Sequence, residues 1–139
     1  IGKGSKLGYL KRYIHRNNLE DSVSLITNVN NPEKYYKISK LFVLSSRYEG
    51  FGNVIVEALK NNCPVITSNC KSGPMEIIDY GNYGDYFEIG DYAGLKNKMR
   101  NFFLNEKKLK NKTLKAKYHL QKFNLINNKL AFDKVFNKI

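Results

Sequence analysis

The chain has 139 residues, of which 42% are hydrophobic and 26% are charged, and its formal net charge is +12. This length fits one domain, and the ordinary apolar, glycine and proline contents argue against a disordered or fibrous protein. The sequence has no run of about 18 apolar residues, so no membrane-spanning helix is predicted. It has no secretory pattern, so we expect a cytoplasmic protein, and its start at Ile1 rather than Met suggests a fragment or a truncated reading frame.

Positive charge is concentrated in the last third of the chain. Residues 1–90 carry 11 Lys and Arg against 9 Asp and Glu, whereas residues 91–139 carry 13 against 3. Such a segment is typical of a solvated helix face in a Lys- and Asn-rich protein, or of a surface attracted to anionic lipids or other polyanions. We favour the solvated face, with peripheral contact at the inner face of a membrane as the alternative. Nucleic acid is not an expected partner.

Apolar spacing predicts alternating helices and strands along the first half of the chain. The i, i+3, i+7 pattern predicts a helix over residues 5–17. Val23–Ile26 is predicted as a short strand, and Pro32 begins a predicted helix to about Ser39. Leu41–Leu44 follows as a buried strand.

The same alternation continues through the second half. A helix to Asn62 is followed by a strand at Pro64–Thr67, a short helix at Gly73–Asp79 and a last strand at Tyr86–Ile89. The next helix is predicted from the apolar residues Leu95, Met99, Phe102 and Phe103.

This order predicts an α/β fold with a Rossmann-like, doubly wound parallel sheet. We expect one domain over residues 1–106, incomplete at its N-terminus, and a basic helical tail over 107–139 packed on it. The expected apolar contacts of that tail are Ile126, Leu130, Phe132, Val135 and Phe136.

The cysteines and histidines predict no metal or disulfide chemistry. Cys63 and Cys70 flank a predicted strand and would lie about 20 Å apart, too far for a disulfide. They have no partners at metal-ligand spacing, so reduced structural thiols are expected. His15 and His119 are expected to be solvated.

Two glutamates flank a glycine-bearing segment between a predicted strand and a predicted helix. The segment runs from Glu49 to Glu57. A strand, a tight turn and a helix N-terminus bring free backbone N–H groups and the positive helix end to one spot, which can hold a phosphate. Carboxylates on either side can accept hydrogen bonds from hydroxyl groups. A sugar nucleotide has hydroxyls on both sides of its diphosphate, so it is the predicted ligand.

The same residues also have a purely structural interpretation. Glu57 can be a first-turn glutamate favoured by the helix dipole, and Glu49 a solvated loop charge. The glycines would then only permit a tight turn. A pair of glutamates at this spacing does not by itself decide between the two interpretations.

Further strings occur in register with the glutamate segment. They are residues 31–36 (NPEKYY), 41–52 (LFVLSSRYEGFG), 56–59 (VEAL), 64–66 (PVI) and 72–78 (SGPMEII). Together they closely resemble the C-terminal domain of retaining glycosyltransferases of family 4, the two-domain GT-B type. The resemblance covers about residues 2–103, and residues 122–124 with the helix after them also look like that family's closing helix.

The resemblance implies roles for individual residues. Glu49 would contact hydroxyls of the donor sugar and is the expected catalytic residue, and Glu57 would accept from both ribose hydroxyls. The segment implied to meet the sugar and the diphosphate is Gly50, Phe51, Gly52, Asn53 and Val54. The nucleobase would be held by backbone at Thr27–Val29, although Thr27 stands where the family usually has glycine.

The implied reaction is transfer of a sugar from a nucleotide diphosphate donor to an acceptor hydroxyl, with retention at the anomeric carbon. Neither a metal nor another cofactor is expected. Residues 68–76 resemble members that build bacterial surface glycans, which favours UDP-hexose or UDP-N-acetylhexosamine as donor and a lipid-linked acceptor.

The family's diphosphate-binding Arg and Lys and its N-terminal acceptor domain are expected upstream of Ile1, so this chain alone is expected to be inactive. A non-catalytic sugar-nucleotide-binding module and a basic polyanion-binding domain are the alternatives.

Overall fold

The computed structural model describes residues 1–123 and divides the chain into two compact units, Ile1–Pro32 and Glu33–Ile139. The tail contacts predicted at Ile126, Leu130, Phe132, Val135 and Phe136 lie outside the described residues. The elements are α1 (Leu7–Arg16), α2 (Glu33–Ile38), β1 (Phe42–Leu44), α3 (Asn53–Lys60), β2 (Val65–Ser68), α4 (Pro74–Ile77), a 3-10 turn (Asp79–Gly81), β3 (Asp85–Phe87), α5 (Tyr92–Leu104), α6 (Glu106–His119) and a second 3-10 turn (Leu120–Phe123).

The first unit contains α1 but no strand at Val23–Ile26, so that prediction was wrong. A strand needs a ladder of backbone hydrogen bonds to a neighbour. Within residues 1–123, this segment makes one described backbone hydrogen bond to a distant part of the unit. The Gly2 N–H donates to the Ile26 carbonyl at 2.9 Å. The segment Val23–Ile26 is therefore not paired as a strand within the described residues.

The second unit is built on a three-stranded sheet in the order β1-β2-β3, with both strand pairs parallel. Val43 lies opposite Ile66, and Ile66 lies opposite Asp85. Because the strands are parallel, their carboxyl ends lie at one edge, where ligands bind in open sheets. The turn from β1 to α3 begins at that edge.

Successive residues of β2 contribute to two different cores. Val65 packs with residues of α3 and α4, such as Ile55 and Ile77, whereas Ile66 packs with Phe87 and with Phe102 of α5. Neighbouring strand residues point to opposite faces, so helices cover both faces of the sheet. The predicted α/β fold with a Rossmann-like parallel sheet is confirmed.

Two predicted elements end earlier than expected. The predicted helix at Gly73–Asp79 ends at Ile77, because Asp79 and Tyr80 have positive φ values of 48° and 51°. The last strand was predicted at Tyr86–Ile89 but is Asp85–Phe87. Its first residue is acidic and is accommodated because Lys98 Nζ lies 2.7 Å from the Asp85 carboxylate.

The solvated environment predicted for His119 was wrong. The residue is 8% exposed, and its ring packs against Tyr83 and Phe123. Its Nε2 lies 3.1 Å from the Glu76 carbonyl oxygen, which can only accept, so Nε2 carries the proton. His15 is exposed as predicted, although it has an acidic partner in Glu20 at 2.8 Å.

Cys63 and Cys70 are both buried and unpaired, in agreement with the sequence. Over residues 1–123, every helix falls short of the length and apolarity that a bilayer span requires.

Candidate functional site

The segment between the two glutamates forms the turn from β1 into α3. Gly50 and Asn53 are exposed, Gly52 is buried, and Val54 is half-buried. Phe51 is 38% exposed, and its ring contacts Phe123 with a centroid distance of 5.3 Å. The turn is therefore anchored by its apolar residues while its backbone stays near the surface.

The N–H groups at the N-terminus of α3 are available to a hydrogen-bond acceptor on a ligand. Gly52 caps the helix with φ 88°, a left-handed conformation that suits glycine, and no side chain in the described part of the chain bonds the helix end. The first amide groups of a helix have no intrahelical partner. For the Asn53 and Val54 N–H groups, no other backbone acceptor is described within residues 1–123. These amides, together with the helix dipole, favour an anion at this point.

Gly73 brings a second loop against the turn. Its φ is 72°, and a Cβ placed on it would lie 2.1 Å from the carbonyl oxygen of Phe51. Only a glycine permits this close approach. The loop before α4 therefore packs directly on the backbone of the turn and fixes its position.

The carboxylate of Glu49 is held by a hydroxyl in the same loop. Ser46 Oγ donates to Glu49 Oε1 at 2.7 Å, and Ser72 Oγ donates to the Glu49 carbonyl at 3.3 Å. The Ser46 carbonyl in turn accepts from Ser68 Oγ at 2.5 Å and from Cys70 Sγ at 3.2 Å. These bonds tie the Glu49 loop to the end of β2 and leave Oε2 of Glu49 without a described partner.

The carboxylate of Glu57 is held by a hydroxyl from another helix. Tyr36 of α2 donates to Glu57 Oε2 at 3.1 Å. Burial first, and then the bond to Glu57, raise the pKa of Tyr36 to about 12, so its hydroxyl keeps its proton at neutral pH. Glu57 is the fifth residue of α3, so its interpretation as a first-turn glutamate was wrong.

A cavity of about 610 Å³ adjoins Glu49. Its lining includes the cationic residues Arg47 and Lys71 together with Tyr48 and Ile89. The Glu49 residue therefore borders an open cavity whose lining combines basic and apolar residues. Among residues 1–123, no group of three or more His, Cys, Asp or Glu side chains is placed to hold a metal ion.

The two residues predicted to hold a nucleobase lie in the first unit. Thr27 and Val29 are half-buried, and Asn28 between them has φ 54°. The positive φ marks a change of chain direction at the predicted turn. The structure thus groups Glu49–Glu57 in one loop–helix segment of the second unit and places Thr27 and Val29 in the first.

Sequence reasoning missed the hydroxyl partners of both carboxylates. Ser46 stands three residues before Glu49, a spacing typical of a side chain that closes a local turn, and this spacing could have identified it. Tyr36 is separated from Glu57 by 21 positions, and no local pattern links them.

A parallel α/β sheet with carboxylates and free helix amides beyond its strand ends has the features of a domain that binds a phosphate-bearing polyol. The chain belongs to the glycosyl transferases group 1, whose family model matches residues 1–119. Its structural neighbours are glycosyltransferases of the GT-B type. One is Anabaena HepE in complex with UDP-glucose, with a TM-score of 0.87, 22% identity and coverage of 99% of this chain and 40% of that one.

Two curated relatives extend the comparison. An uncharacterized glycosyltransferase of Methanocaldococcus jannaschii is 41% identical over 96 residues, which are 62% of this chain and 24% of that protein. The N-acetylgalactosamine-N,N'-diacetylbacillosaminyl-diphospho-undecaprenol 4-alpha-N-acetylgalactosaminyltransferase of Campylobacter jejuni is 32% identical over 121 residues, covering 81% of this chain and 33% of that protein. The chain thus spans about a quarter to a third of the length of these relatives.

Proposed function

We propose that this chain is the donor-binding part of a retaining glycosyltransferase that uses a UDP-hexose or UDP-N-acetylhexosamine. The observation that carries the proposal is the pair Glu49 and Glu57 on either side of the open α3 N-terminus. Each carboxylate has one oxygen held by a hydroxyl, from Ser46 and Tyr36 respectively. Each therefore keeps acceptor capacity for a ligand hydroxyl in a fixed orientation.

Each part of the donor has a proposed partner. Glu57 accepts from the two ribose hydroxyls, because a carboxylate can accept from neighbouring donors with both oxygens. The backbone from Gly50 to Val54 meets the diphosphate and the sugar, and Glu49 accepts from sugar hydroxyls as the catalytic residue. Backbone at Thr27 and Val29 holds the base.

In the proposed reaction, the bond between the sugar's anomeric carbon and the diphosphate oxygen breaks, and UDP leaves with the electron pair. The acceptor hydroxyl oxygen forms the new bond on the same face, and its proton passes to the departing diphosphate oxygen. Glucose and galactose are α-linked in their UDP-sugars, and the Campylobacter relative is named for a 4-alpha linkage, which supports retention.

Electrostatic stabilisation of the leaving diphosphate is proposed to come from helix amides and basic side chains rather than a metal. EDTA would then leave turnover unchanged. Bacterial surface glycan synthesis is the proposed setting, and the diphospho-undecaprenol in the relative's name supports a lipid-linked acceptor. An acceptor-binding domain in the complete protein is part of the proposal.

Isothermal titration of UDP and a UDP-sugar into the complete protein tests these roles. Glu57→Ala is expected to weaken both ligands about tenfold or more, whereas Glu49→Ala weakens only the UDP-sugar. Glu33→Ala, at an exposed acid of α2, is the matched control. Unchanged UDP affinity in Glu57→Ala rules out the ribose assignment. Donor binding without transfer to any acceptor would instead support the non-catalytic binding module.

A further inference from the structure

The exposed side of α6 has a composition that the donor site does not explain. The helix buries Leu109, Thr113 and Ala116 against the rest of the second unit. At 3.6 residues per turn, the opposite side is formed by Lys107, Asn111, Leu114 and Tyr118, with Lys110 and Lys117 along one margin and Lys108 and Lys115 along the other. We call these residues the outer face of α6.

Two large, partly apolar side chains lie at the centre of this outer face. Leu114 is 59% exposed and Tyr118 is 81% exposed. They stand four positions apart, so they are neighbours on the helix surface. The solvent side of a surface helix is normally polar. Tyrosine is enriched where protein meets the membrane–water interface, because its ring is apolar and its hydroxyl is polar.

Positive charge surrounds these two side chains. Glu106 is the single acidic residue of α6, against six lysines. Lys110 pairs with Glu106, and Lys112 donates to the Gly81 carbonyl at 2.6 Å. For the remaining lysines, Lys107, Lys108, Lys115 and Lys117, no partner is described within residues 1–123.

We infer that the outer face of α6 docks on the surface of an anionic lipid bilayer. Unpaired lysines complement an anionic surface, and Leu114 and Tyr118 give contact with the apolar region below the headgroups. A nucleic acid would use the charges but would gain little from an exposed leucine. Because the opposite side of α6 is packed on the protein, the helix lies on the bilayer with shallow side-chain insertion. This inference replaces the sequence-based preference for a solvated face.

Vesicle co-sedimentation of the whole chain tests the inference, with phosphatidylcholine vesicles compared with vesicles containing 30% phosphatidylglycerol. We expect binding to the anionic vesicles only, weakening as salt is raised. Leu114→Ser with Tyr118→Ser is expected to lower vesicle affinity about tenfold while leaving heparin binding unchanged. Lys108→Glu with Lys115→Glu is expected to lower both by tenfold or more.

Lys11→Glu with Lys34→Glu changes net charge by the same amount at lysines that do not belong to α6 and serves as the matched control. Circular dichroism melts check that all variants fold. Equal loss of vesicle binding in this control would show a net-charge effect and overturn the inference. Absence of binding to anionic vesicles, or full binding by the Leu114→Ser, Tyr118→Ser variant, overturns it as well. Loss in both α6 variants, with the control unchanged, supports it whether or not the chain binds UDP.

Discussion

The hydroxyl of Tyr36 lies 3.1 Å from Oε2 of Glu57, so a side chain of α2 orients a carboxylate presented by α3. Tyr36 is itself fixed, because it is 8% exposed and packs edge-on against Phe42 with a centroid distance of 5.5 Å. Glu57 thus has a defined orientation before any ligand arrives. Pre-organisation of this kind raises affinity by reducing the entropy lost on binding.

Removing this hydroxyl is expected to weaken nucleotide binding. Tyr36→Phe keeps the ring packing and deletes the donor to Glu57. The carboxylate then samples more rotamers, and we expect UDP to bind about three- to tenfold more weakly, consistent with a hydrogen bond of about 1 kcal/mol. Titration calorimetry with UDP measures the change.

A ligand without ribose hydroxyls provides the control for Tyr36→Phe. Because 2′,3′-dideoxy-UDP has no hydroxyls for Glu57 to accept from, its affinity should be the same in the original chain and the variant. Equal losses for both nucleotides would instead show that the Tyr36 hydroxyl affects binding without the ribose hydroxyls, which would contradict its proposed role in orienting Glu57.

The corresponding bond at the other glutamate predicts a different ligand dependence. Ser46→Ala removes the 2.7 Å hydrogen bond to Glu49. Since Glu49 is proposed to contact the sugar, UDP-sugar affinity should fall about three- to tenfold while UDP affinity stays constant. Ser45→Ala, at the exposed neighbouring serine, is the matched control. A loss of UDP affinity in Ser46→Ala would contradict the division of roles.

The sequence predicted the parts of the fold whose causes are local. Apolar runs marked β1 and β2, and 3.6-residue spacing marked α1 and α5, because these patterns follow the geometry of each element itself. Burial was less well predicted, since β1 is half-buried rather than buried and α1 buries none of its residues. The strand predicted at Val23–Ile26 was wrong because strand formation depends on a neighbour, which β-branched residues alone do not supply.

The candidate site also contains parts that could be predicted from the sequence and parts that could not. The Glu49–Glu57 segment could be identified because strand, turn and helix are contiguous in the sequence. Tyr36 could not, because its contact with Glu57 arises only when α2 and α3 pack together. The approach of Gly73 to Phe51 also requires the three-dimensional arrangement of two loops. Burial of His119 depends in the same way on Tyr83 and Phe123.

Gly73 is expected to be intolerant of any side chain. Gly73→Ala would place a Cβ 2.1 Å from the Phe51 carbonyl oxygen at a φ of 72°. Gly90→Ala is the matched control, because its φ is 83° and no atom of residues 1–123 lies within 4 Å of the added Cβ. We expect Gly90→Ala to cost about 1–2 kcal/mol from φ alone, and Gly73→Ala about 2 kcal/mol more.

Urea denaturation of both variants measures this difference in the free energy of unfolding. Because both glycines have a positive φ, the difference in stability between the two variants reports the steric contact at Gly73. If the two variants lose the same stability, the loop before α4 does not press on the turn as closely as its geometry indicates.

Burial of Cys63 predicts a loss of stability at alkaline pH. Burial raises the pKa of its thiol from 9.0 to about 11, and its Sγ lies 3.6 Å from the Ser39 carbonyl oxygen, which favours the protonated form. The folded chain therefore keeps this proton where the unfolded chain has released it. The stabilisation is complete below pH 9 and is lost as the pH rises towards 11, which amounts to about 1 kcal/mol by pH 10.

Urea denaturation at pH 8, 9 and 10 should show this decline in the free energy of unfolding. In Cys63→Ala the part of the decline that comes from this thiol should be absent, even if the variant is already less stable at pH 8. Because Tyr36 contributes in the same direction mainly above about pH 10, the comparison stops at pH 10. A Cys63→Ala variant whose stability falls as steeply as that of the original chain would contradict the assignment of the effect to this thiol.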